Sequence, residues 1–141
     1  MNSEKEIRKN INLLILEDDF ETVAELLKAL QPVEEKLLPK QLIVTVYTDY
    51  ESVEKKVNIL AVDAWDVILL DRDCILGGSF HCLDIEKFGP DKIISISSTP
   101  QWNIEAQKRG IKRVVFKDFL NLREFAEKVS KEVEKIISSS S

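Results

Sequence analysis

Five short runs rich in apolar and β-branched residues recur along this chain, and amphipathic stretches separate them. The runs are Ile11–Leu16, Leu42–Tyr47, Val67–Leu70, Ile93–Ser97 and Arg113–Phe116. The first is apolar at every position but Asn12, as expected of a strand covered on both faces rather than one. Strands of this kind, alternating with helical patterns, predict a parallel sheet built from βα units. In such a sheet all C-terminal strand ends meet at one edge, where open α/β sheets bind ligands. Four of the runs end in chemistry-bearing residues: Glu17-Asp18-Asp19, Asp71, Ser97 and Lys117. The topology therefore predicts one crevice holding acids, a hydroxyl and a lysine.

The stretches between the runs are read from their apolar spacing. Val23, Leu26, Leu27 and Leu30 make one buried helical stripe, Gln31-Pro32 weakens that helix, and Pro39 closes a charged connection. A second helix is predicted over about Tyr50–Leu60, with Val53 and Val57 facing inward. Gly77-Gly78 breaks the loop after the third run, and a short helix near Phe80–Phe88 ends at Gly89-Pro90. Gln101–Arg109 reads as a helix closed by Gly110, with a thin apolar stripe of Trp102, Ile104 and Ala106. The last helix, Phe119–Ile137, carries Leu122, Phe125, Ala126, Val129, Val133 and Ile136 at core spacing. We expect residues 1–141 to form a single domain with its core at about 10–137 and a flexible end at Ser138–Ser141. With no linker or second domain in view, output is expected to come from this domain itself.

Charge and cysteine usage narrow the function classes. A net charge of −5 and a pI near 5.0 argue against a nucleic-acid partner, which needs clustered Lys and Arg. Apolar runs of about six residues fall short of the roughly 18 needed for a membrane span, and no signal peptide is evident. Cys74 and Cys82 fit no zinc spacing and are expected to be reduced thiols of a cytoplasmic protein. His81 is the only histidine, which excludes a multi-histidine metal site and a Ser/His/Asp triad. We place it on the surface at the start of the third helix. Gly77-Gly78 lacks a following Gly-Lys-Ser/Thr and is read as a turn, not a phosphate loop.

Taken together, the acidic cluster after Leu14-Ile15-Leu16, the aspartate closing Asp66–Asp71, Ser97 in Ile96-Ser97-Ser98 and Lys117 in Phe116-Lys117-Asp118-Phe119 resemble the receiver domain of two-component response regulators. The resemblance spans about Asn10 to Ile136. It implies a flavodoxin-like sheet of five parallel strands in the order 2-1-3-4-5 with helices on both faces. By position, Asp71 is the phosphoacceptor, served by a sensor histidine kinase or a phosphotransfer protein. Mg²⁺ is the implied cofactor. Its implied ligands are Glu17 (through water), Asp18 and Asp71 directly, and the backbone carbonyl of Asp73. Ser97, with Ser98 in competition, and Lys117 contact the phosphoryl group. The residue types suit the chemistry, since an aspartate attacks phosphorus only when its charge and that of the phosphoryl oxygens are offset. The resemblance implies a phosphoacceptor switch read by a downstream protein, rather than an enzyme with turnover.

Three positions depart from the family pattern. Ile75 stands where a proline is usual four residues past the acceptor, Asp118 replaces the proline after the lysine, and Val114 replaces the aromatic switch residue. An alternative is therefore a degenerate receiver that binds partners without phosphorylation. Another is a phosphohydrolase, because Asp71-Arg72-Asp73 resembles the Asp-x-Asp motif of haloacid-dehalogenase-type phosphatases. For the Asp73 side chain two roles stay open: a general base orienting water, or a side chain turned to solvent.

Overall fold

The computed structural model describes residues 10–73 and 79–139. Cys74, Ile75 and Gly77-Gly78 lie outside the described residues, as do Ser140 and Ser141. The strands β1 (Ile11–Leu16), β2 (Leu42–Tyr47), β3 (Val67–Asp71), β4 (Ile93–Ser97) and β5 (Arg113–Phe116) form one sheet in the order β2-β1-β3-β4-β5. All four pairings are parallel, in registers such as Leu16 beside Tyr47, Leu16 beside Leu70, Asp71 beside Ile96 and Ser97 beside Phe116. This is the expected α/β architecture and strand order. β3 and β4 are buried throughout, whereas β2, on the edge, is half-exposed along most of its length. Its Thr45 and Tyr47 suit that position.

Side-chain alternation along the strands sends successive residues to opposite faces and divides the core in two. Leu13, Ile15, Leu69, Ile94 and Val115 pack beneath helices α1 (Phe20–Leu37) and α4 (Leu122–Ser139). Leu14, Leu16, Ile68, Leu70 and Ile93 pack on the other face, against a π-helical turn at Val53–Val57, helix α2 (Ile85–Phe88) and helix α3 (Pro100–Lys108). Among the described residues no helix is long and apolar enough to cross a membrane.

The connections differ from the sequence expectations in instructive ways. α1 does not stop near Gln31-Pro32 but runs on to Leu37. Pro32 removes one intrahelical bond, to the carbonyl of Lys28, yet both residues are exposed, so that carbonyl is not forced to go unsatisfied in the interior. Val33, just beyond, is buried at 2% exposure and holds the continuing turn onto the core. The buried stripe is Thr22, Leu26, Leu30 and Val33, while Leu27 is 43% exposed. The predicted second helix is present but shorter, over 51–57, and is π-helical at Val53–Val57, with Val53 and Val57 fully buried as expected. The third is split into a 3₁₀ turn at Ser79–Cys82 and the four residues of α2. α4 begins at Leu122, leaving Phe119 and Leu120 exposed. It also carries Ser138 and Ser139, which correct the expected start of a flexible end.

The thin stripe of α3 has a specific explanation. Its buried residues are Asn103 and Ala106, whereas Ile104 is exposed. Asn103 Oδ1 accepts from the Ser95 hydroxyl at 2.7 Å, and its amide donates to the Val115 carbonyl at 3.2 Å. Buried hydrogen bonds thus replace apolar packing in fastening α3 to β4 and β5. Gly110 closes the helix as expected, with φ +96 and the Ile111 N–H on the Ala106 carbonyl, a left-handed cap that favours glycine.

Candidate functional site

The C-terminal edge of the sheet gathers the side chains at the strand ends. After β1 the chain turns through Glu17 and Asp18 into α1, whose N-cap is Asp19. The Asp19 carboxylate accepts from the Thr22 N–H (3.0 Å) and hydroxyl (2.5 Å). Asp19 is thus the helix cap, which leaves Glu17 and Asp18 for the edge.

Lys117 follows β5 and is the centre of the site. Its Nζ lies 2.7 Å from Glu17 Oε1, 3.0 Å from Asp71 Oδ1 and 3.2 Å from Asp73 Oδ2. Lys117, Glu17 and Asp71 are almost completely buried, and the Asp73 side chain is 15% exposed. One ammonium thus faces three carboxylates inside the protein. Burial pushes the Glu17 carboxyl up to about 8, and the charge of Asp71 adds to the shift against the pull of Lys117. Burial likewise raises Asp71, partly offset by Lys117. Burial alone would lower Lys117, but the charges of Glu17 and Asp71 outweigh it and hold the ammonium protonated. For Asp73, burial is overcome by hydrogen bonds from Ser97 and Ser98 and by the charge of Lys117, which keep it ionised.

The hydrogen bonds divide the carboxylates by role. Glu17 Oε2 accepts from the Asp19 N–H at 3.0 Å, and Asp71 Oδ1 accepts from the Asp73 N–H at 2.9 Å. Asp71 Oδ2 is buried with no hydrogen-bond partner among the described residues. Asp73 turns inward, so the solvent-facing alternative is overturned. Its Oδ1 takes the Ser97 hydroxyl at 2.6 Å and the Ser98 N–H at 2.9 Å, and its Oδ2 takes the Ser98 hydroxyl at 3.0 Å. Both candidate serines are therefore bound to the same carboxylate. Ser97 is fully buried and also holds the Thr99 N–H at 3.0 Å. After the lysine, Asp118 Oδ1 accepts the Leu120 N–H at 3.0 Å and shapes the turn.

Carboxylate oxygens of Glu17, Asp18 and Asp71 all lie within 4.8 Å of one another, and Asp18 is exposed. Adjacent ligand oxygens of an octahedral Mg²⁺ are about 3 Å apart and opposite ones about 4.2 Å, so small side-chain adjustments make these acids a ligand set. The unpartnered Asp71 Oδ2 supplies a ligand atom, and the surplus of carboxylates over ammonium supplies the electrostatic reason. The residues fit a divalent cation.

Sequence reasoning missed Arg72. Its guanidinium is buried, ion-paired with Glu105 and 5.9 Å from the Trp102 ring, with Nε and Nη1 unpartnered among the described residues. His81, expected on the surface, is half-buried. Its Nε2 is 2.9 Å from the Arg72 carbonyl, and its ring packs edge-on against Trp102 at 4.6 Å. A charged residue directly after a buried strand was the available signal, since such a side chain needs a partner.

The fold is similar to that of a response regulator receiver domain from Rhodospirillum rubrum, known from a crystal structure. The TM-score is 0.59, the match covers 93% of this chain and 95% of that one, and the identity is 16%. At that identity the likeness is one of fold. No family model matches the chain, and no curated protein matches it.

Proposed function

We propose that this chain is a receiver-type phosphoacceptor switch, with Asp71 as the acceptor. The observation that carries this reading is the Asp71 carboxylate at the ligand-binding edge. One oxygen is fixed by Lys117 and the Asp73 N–H, and the other is buried with no partner among the described residues, beside the exposed Asp18. In the proposed step the Asp71 carboxylate attacks, through one oxygen, the phosphorus of a phosphohistidine on a sensor kinase or phosphotransfer protein, leaving its other oxygen for the metal ion. The new O–P bond forms as the P–N bond breaks, and the departing imidazole nitrogen takes a proton from solvent. Lys117 stays protonated and offsets charge on the phosphoryl oxygens, and Ser97 donates to one of them. Mg²⁺, held by Asp18 and Asp71, by Glu17 through water and by the Asp73 backbone carbonyl, supplies further charge neutralisation when bound.

Output in this reading passes through the face of α3, β5 and α4, where Ile104, Phe116 and Phe119 are exposed, to a downstream protein partner. Val114 has no ring to rotate, so signalling runs through the Ser97–Gly110 segment.

One observation favours a phosphorylation-independent binding module: the donors for a phosphoryl group are already satisfied by Asp73. Incubation with acetyl phosphate and Mg²⁺, read by intact mass, separates the two. The switch requires a gain of one phosphoryl group that Asp71→Asn abolishes. No gain with acetyl phosphate or a phosphohistidine donor supports the module.

A further inference from the structure

The Ser97 hydroxyl, the Ser98 N–H and hydroxyl, and the Lys117 ammonium converge on one small anion, and that anion is the protein's own Asp73 carboxylate. These four groups come from the ends of β4 and β5, while Asp73 stands two residues past β3. The carboxylate offers two acceptor oxygens and one negative charge, against three oxygens and a larger charge on a phosphoryl group. It is thus a smaller, weaker ligand for the same donors.

We infer that Asp73 is an internal occupant of the phosphoryl seat, a lock that a phosphoryl group on Asp71 must displace. This rests on the phosphoacceptor reading above and adds a regulatory contact to it. Asp71 and Asp73 both contact Lys117, at 3.0 and 3.2 Å, so the lysine passes from sharing two carboxylates to holding the phosphoryl oxygens. Two consequences follow. The Ser97–Ser98 turn is already drawn against the acidic edge before phosphorylation. Donor bonds are exchanged when the phosphoryl group arrives instead of being newly formed, which slows acceptance and weakens its hold.

The test compares wild type, Asp73→Asn and Asp73→Ala. Asp73→Asn keeps the shape but removes the charge and one acceptor oxygen. Asp73→Ala removes the occupant while leaving every donor of the seat in place, and serves if the first variant fails to fold. Phosphorylation by acetyl phosphate with Mg²⁺, followed by intact mass, should be roughly tenfold faster in Asp73→Asn and at least as fast in Asp73→Ala, as expected for losing charge-assisted hydrogen bonds. Amide exchange at Ser98 in the untreated protein gives a second readout. It should be slow in wild type and markedly faster in Asp73→Asn, whose side chain is a poorer acceptor. Mass gain at equal or slower rates in both variants, or unchanged Ser98 exchange, overturns the lock while leaving the phosphoacceptor reading standing. No mass gain in any of the three chains overturns the phosphoacceptor reading and the seat with it.

Discussion

Without a metal ion the protein should lose stability as the pH rises from 6 to 8, and Glu17 should be the cause. Its carboxyl is buried beside Asp71, which carries its pKa from the ordinary 4.5 to about 8. Between those values the folded chain keeps a proton that the unfolded chain has released. The resulting stability is complete below pH 4.5 and lost as the pH rises through 8. At about 1.4 kcal/mol per unit, and with the slope falling off as pH 8 is reached, the change from pH 6 to 8 is on the order of 2 kcal/mol. For a domain of this size that is on the order of 10 °C in melting temperature. Asp71 is raised in the same direction, so the proton belongs to the pair. Glu17→Gln removes the charge that repels Asp71 and should remove most of this loss relative to wild type. His81 is lowered by burial and favours stability as pH rises, but it is common to both chains and cancels in the difference. Urea unfolding at pH 6 and pH 8 in the presence of a chelator measures the effect. Parallel pH profiles in wild type and Glu17→Gln would refute the reasoning.

Millimolar Mg²⁺ should raise the melting temperature at pH 8, by an increment of about 1–1.5 kcal/mol at tenfold the dissociation constant. Asp18→Asn and Asp71→Asn should each remove most of it in thermal melts. Lys117→Met leaves three buried carboxylates facing one another and should cost roughly 3–5 kcal/mol at pH 8, and less at pH 6, where a proton takes over part of the lysine's role; urea unfolding at both values checks the order. The phosphoaspartate should be short-lived, and Asp73→Asn should lengthen its life, measured as the decay of the phosphorylated mass after donor removal. Asn103→Leu forfeits the bonds to Ser95 and Val115 and should cost on the order of 2 kcal/mol, with faster amide exchange in α3 as the local sign.

Much of the fold was legible because burial leaves a local periodic signature. β2, β4 and β5 stand where the apolar runs lie, and β3 extends one residue further, to Asp71. The gathering of Glu17, Asp71, Ser97 and Lys117 at one edge follows from parallel topology, since it requires only that these residues end their strands. Pro32 was misread because local propensity favours a break there, whereas Val33 docked on the core decides otherwise. The stripe of α3 was thin to a hydrophobicity reading because its anchor is an amide, whose value depends on Ser95 and Val115 being in reach.

By itself the sequence determined the kinds of elements, the parallel sheet and the chemical inventory of its edge, because these depend on residue type and near-neighbour spacing. Which way Asp73 points, which acid caps α1, and where the Arg72 guanidinium and His81 ring settle were decided by the tertiary structure. Asp73 turns inward because serines 24 and 25 positions away and Lys117 converge on it. Lys117 reaches Asp71 across 46 positions of chain. Side chains beyond a strand end have several staggered directions open to them, and only partners brought from other strands, at distances no local pattern encodes, select one.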